Sequence, residues 1–86
     1  MEEKQIGTIT HYFGKISVAV IKIVEGSLAV GDTIHIKGHT SDFTQKVDSM
    51  QIEHENVEKI EAGESAALKV IEHTREHDEV YKVIEE

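Results

Sequence analysis

Six histidines in 86 residues invite a metal centre, so their spacing is the first chemical question. His35 and His39 stand four apart, as do His73 and His77. That spacing converges on one ion only on a helix, and the surrounding patterns place both pairs in strand-to-loop or loop segments. In an extended strand His35 and His39 share a face yet sit roughly 13 Å apart. No metal site is expected. Carboxylate pairs such as Glu53 and Glu55, or Asp78 and Glu79, are what so acidic a chain produces by composition, and acid–base catalysis needs a cleft that shifts a pKa. Neither a G-x-S-x-G nucleophile elbow nor a phosphate-cradling G-x-x-x-x-G-K-[ST] occurs. The expectation is a non-enzymatic protein with no cofactor.

The better candidates are aromatic and cationic. Tyr12, Phe13 and Lys15 form one group, and Lys37, His39 and Lys46, with Phe43 between them, form another. Stacking faces mixed with cations are what RNA-binding surfaces use. These six residues, Tyr12, Phe13, Lys15, Lys37, His39 and Lys46, are the predicted binding surface for RNA or a protein partner. The alternative reading is that Phe43 and one of Tyr12 and Phe13 close the ends of the fold.

Charge divides the chain. The formal net charge is −8, yet residues 1–46 carry five lysines against five acids, and residues 47–86 carry three lysines and Arg75 against twelve. Phosphate backbones take most of their affinity from Lys and Arg, so a nucleic-acid contact belongs to the first half. The acidic second half, with Glu53, Glu55 and Glu58, offers a second class of function: a protein-interaction module facing a basic surface.

These residues need a scaffold, and the chain supplies strands. Eighty-six residues make one domain with room for one core. Lys4 to Thr10 reads as a first strand, with Gly7 marking a bulge or a close backbone approach, and His11 to Gly14 as a turn-like interruption. Lys15 to Val24 sets Ile16, Val18 and Val20 on one face and Ala19, Ile21 and Ile23 on the other, as in a central strand. Gly26 to Gly38 is strand, tight turn at Gly31-Asp32, and strand, with Ile34 and Ile36 inward. In that turn Gly31 supplies a positive φ and Asp32 bonds backbone N–H groups two residues on. Lys37 to Asp42 is a loop and Phe43 to Ile52 a strand with a register shift near Ser49. Glu53 to Lys59 is an acidic connection with room for a helical turn. Ile60 to Glu64 is a second turn, Ser65 to Ile71 a strand, Glu72 to Glu79 a charged loop, and Val80 to Ile84 the last strand. About six strands with regular turns predict a small all-β fold, a closed six-stranded barrel over residues 1–86.

The absence of cysteine suits a reducing cytoplasm, and MEEKQIGTIT lacks the basic and apolar regions of a secretory signal. The longest apolar run, Val18 to Ile21, is far short of a membrane span. A cytoplasmic protein without membrane or DNA partners is expected.

Ile6 to Thr10, Glu25 to Ile36, Lys46 to Gln51, Ala62 to Glu64 and Arg75 to Asp78 follow one another in an order that resembles the second domain of translational GTPases of the elongation-factor Tu type. The stretches THYFGKISVAV and KGHTSDFTQKVDSMQIEH, with the closing VYKVI, are similar to small stand-alone elongation-factor-like proteins and to the C-terminal barrel of collagenase-like peptidase-family proteins. The family usually has Gly-Asp at the last turn, where this chain has His77-Asp78, and a glycine near the position of Ala66-Ala67. The resemblance implies the barrel, partners such as tRNA, ribosomal RNA or a larger protein of translation or of the collagenase-like peptidase family, and a place in translation or RNA modification.

Overall fold

The computed structural model describes residues 2–84. They form ten strands and no helix: β1 Glu2–Phe13, β2 Val18–Ile23, β3 Ser27–Ala29, β4 Thr33–Lys37, β5 Asp42–Lys46, β6 Met50–Ile52, β7 Glu55–Val57, β8 Lys59–Glu61, β9 Ser65–Lys69 and β10 Glu79–Ile84. Eight of them join in the order β5-β4-β10-β1-β2-β9-β6-β7, and β3 pairs with β8 in a separate two-stranded sheet. The fold is all-β as expected. The six-stranded closed barrel is not what the ladders show: there are more and shorter strands, and the large sheet ends on β5 and β7. Between β5 and the end of β9 a single side chain does the joining, Gln45 donating to the Lys69 carbonyl and accepting from Ile71 N–H, both at 2.9 Å.

β1 organises the sheet because it is long enough to serve two neighbours. Glu2 to Thr8 pair with β10, and Gly7 to Phe13 pair with β2. The register shifts between Gln5 and Gly7 against β10. A bulge bends a strand, and here it lets one strand turn from one partner to the next. Gly7 is required there for a second reason: a Cβ would collide with the Lys22 carbonyl oxygen. Both readings of Gly7 hold.

The core follows the alternation. Ala19, Ile21 and Ile23 from β2 and Ile34 and Ile36 from β4 are fully buried, against Ile6 and Ile9 of β1. Full burial of side chains of this size contributes about 1.5–3 kcal/mol each before ordering costs.

Several local expectations are corrected. His11 to Phe13 continue β1, and the turn is residues 14–17, with Ser17 at φ 55°. Ile16 therefore lies in that turn and is 61% exposed, rather than sharing a strand face with the half-buried Val18 and Val20. The strand expected from Phe43 to Ile52 is two strands, because Val47 turns away to exchange hydrogen bonds with the Gly31-Asp32 turn. Glu53 to Lys59 is no connection: β6 and β7 form a hairpin closed by Glu53 and His54, both at positive φ (50° and 67°).

Candidate functional site

Three turns in this chain share one design. In Ala29–Asp32 the Asp32 N–H donates to the Ala29 carbonyl, and Ala29 N–H donates back to the Asp32 carboxylate. Glu64 does the same to Glu61, and Asp78 does the same to Arg75. Asp32 thus caps the residue three before it, rather than N–H groups two residues on. The third residue of each turn has positive φ: Gly31 at 99°, Gly63 at 93° and His77 at 74°. A type II turn demands that conformation, and glycine is the residue that takes it without strain. The third turn places an imidazole there instead.

Long-range bonds fix that third turn. His77 N–H donates to the Ile9 carbonyl, and Ile9 N–H donates to the Asp78 carbonyl, tying the turn to β1. The Ser41 hydroxyl donates to the His73 carbonyl, tying the segment to the β4–β5 turn. Gly38 lies so close to the buried Asp78 carboxylate that no Cβ fits between them. Lys37, His39, Arg75, Glu76, His77 and Glu79 then line a groove of about 650 Å³ above Asp78.

The acids and cations of this groove differ in their engagement. Glu76 faces His11 at 3.7 Å, Asp78 caps Arg75 N–H at 3.0 Å, and Glu79 accepts from the Tyr81 hydroxyl at 3.0 Å. That last bond pushes the Tyr81 phenol above its ordinary value. Among the described residues the side chains of Lys37, His39, Arg75 and His77 have neither a hydrogen bond nor an ion pair. The groove's positive charge is unspent.

Three of the six residues predicted from sequence, Lys37, His39 and Tyr12, meet around residues 72–79. Lys37 and His39 line the groove. Tyr12 is half-buried, its ring edge-on to His73 at 4.7 Å, and Phe13 is 46% exposed, its ring 4.4 Å from His11. Phe43 belongs to the core. Lys46 stands apart, at the other end of the β4–β5 ladder, where it shares a second groove with Ser17, Lys69 and Ile71. Lys15 lies in the turn that leads to Ser17. The binding surface predicted from sequence left out His11, Arg75 and His77. The available signal was the E-H-D of the third turn, which repeats V-G-D and A-G-E with the glycine replaced. No cluster of three or more metal-ligating side chains occurs among the described residues.

No family model matches the sequence. The fold and its turns define a small all-β domain. It superposes on the C-terminal domain of a putative U32 peptidase from Geobacillus thermoleovorans with a TM-score of 0.86, over 94% of this chain and 93% of that one, at 15% identity. In sequence it is 40% identical over 78 residues to an uncharacterized protease of Methanocaldococcus jannaschii. It is 33% identical over 82 residues to a collagenase of Porphyromonas gingivalis. These alignments take in 90% and 94% of this chain but 19% and 23% of the relatives, so the chain spans about a fifth of their length. They support the collagenase-like side of the resemblance, and the elongation-factor side is not shown by them. No helix among the described residues is long and apolar enough to cross a membrane.

Proposed function

We propose that this chain is a non-catalytic docking module whose face around residues 72–79 binds RNA, or a larger RNA-acting enzyme, in the setting of translation or RNA modification. One observation carries the reading: the carboxylates around the groove are already engaged, while Lys37, His39, Arg75 and His77 are not. Phe13, whose ring lies 4.4 Å from His11, adds an exposed stacking face on β1. The protease and collagenase names belong to proteins four to five times as long, which supports an accessory role rather than proteolysis by this domain.

The test is a titration with tRNA and ribosomal RNA fragments at low and physiological salt. Binding should weaken with salt, and Lys37→Glu with Arg75→Glu should abolish it, whereas Lys15→Glu with Lys46→Glu should act weakly. No binding at low salt overturns the RNA reading. Capture of a protein partner that is lost only when Glu53, Glu55 and Glu58 are neutralised transfers the function to the exposed acidic hairpin.

A further inference from the structure

We propose that the groove between the β4–β5 turn and residues 75–79 is a phosphate-binding site in which His77 and His39 make the affinity rise on acidification. The proposal rests on the docking reading in that both use this face, and it names the group recognised and the control over it.

Three observations converge. First, the groove collects two fixed cations, Lys37 and Arg75, with two imidazoles, His39 and His77, none of them spent on an internal partner among the described residues. A guanidinium, an ammonium and imidazoles suit the oxygens of a tetrahedral oxyanion, and imidazole is the side chain that ordinarily gains charge between pH 5 and 8. Second, the three acids of the groove keep their charge but are each turned to a partner: Glu76 lies 3.7 Å from His11, Asp78 is buried as the cap of Arg75 N–H, and Glu79 accepts from Tyr81, so protonated imidazoles are needed for the groove's cations to outnumber its acids. Third, the chain contains its own control. Two turns of the same design use glycine at the positive-φ position, and only the turn at this groove carries a side chain there. Strain of that kind persists at sites where the side chain is used. The competing account is that histidine is tolerated at positive φ better than most residues.

The experiment separates the two. Imidazole resonances of the intact protein are followed by NMR while sulfate, a tetrahedral anion of constant charge over this range, and then inorganic phosphate are added at pH 6 and pH 8. The His39 and His77 signals should shift saturably, with binding several-fold weaker at pH 8. His77→Gly should raise Tm by roughly 4–8 °C by relieving the strain while weakening anion binding several-fold. His77→Asn, which also tolerates positive φ, should keep the fold and lose much of the pH dependence. Wild-type affinity with wild-type pH dependence in both variants overturns the proposal, as does an absence of saturable shifts.

A further arm uses an RNA oligonucleotide without terminal phosphates. If it moves the same resonances, the group recognised is a backbone diester. If only the small anions do so, the site stands and the RNA docking fails. RNA binding that His77→Gly leaves untouched has the reverse meaning.

Discussion

His35 Nε2 lies 2.5 Å from a carboxylate oxygen of Asp42, and the other ring nitrogen of the same imidazole lies 2.9 Å from Glu3. Ionised carboxylates only accept, so serving both requires both ring nitrogens to donate, which is the imidazolium form. Asp42 and then Glu3 accordingly hold the His35 pKa above its ordinary 6.5, against the opposing effect of burial. The clamp joins β1, β4 and β5, strands that are not all neighbours in the sheet. A raised folded-state pKa means that the stabilisation is complete below about pH 6.5 and is lost as pH climbs through the folded value. Denaturant unfolding across pH 5.5 to 8.5 should show stability falling with pH, and His35→Gln should flatten that slope. An unchanged slope in the variant would place the pH dependence elsewhere.

The β6–β7 hairpin has the two-residue geometry that asparagine followed by glycine adopts best, yet Glu53 and His54 occupy it. Glu53→Asn with His54→Gly should stabilise the protein by about 1 kcal/mol, seen as a higher urea midpoint at constant m-value. A loss of stability would mean that the two native side chains form contacts that outweigh the backbone strain.

Gly7 allows no side chain. Alanine there would drive its methyl into the Lys22 carbonyl, separating β1 from β2 at the centre of the large sheet. Gly7→Ala should cost roughly 3 kcal/mol or more, enough to unfold much of a domain this small at 37 °C. The comparison is Gly14→Ala, where the nearest atom lies at 3.5 Å and the effect should be slight. Thermal melts of the two variants settle the contrast.

Thr74 is buried in the segment that carries the groove, and its hydroxyl has no hydrogen-bond partner among the described residues. Removing an unsatisfied buried hydroxyl at constant shape relieves a desolvation penalty. Thr74→Val should therefore raise stability by about 1 kcal/mol without altering anion or RNA binding. A destabilised variant would reveal an ordered water at that hydroxyl.

Much of the scaffold is written in local pattern. Apolar alternation marks the strands around Ile21 and Ile34, and the glycines with acids after them mark two of the three like turns. Glu53 to Val57 escaped because a polar hairpin without asparagine or glycine carries no apolar period and no turn signal. Ile16 escaped because a two-residue alternation cannot say where a strand begins.

What the sequence determined by itself is the all-β class, the inward-facing Ile34 and Ile36 of the strand after the Gly31-Asp32 turn, and the cationic and aromatic residues from which a site could be built. These depend on side chains a few residues apart, so they survive without knowledge of the fold. Which of those residues meet was decided by tertiary structure alone. Ser41 reaches His73 and His77 reaches Ile9 across separations that no local pattern encodes, and those bonds bring Arg75 and His77 beside Lys37 and His39. The same packing leaves Lys46 at the far end of its ladder. It also sets Glu76, next to Arg75 and His77, at 3.7 Å from His11 of β1.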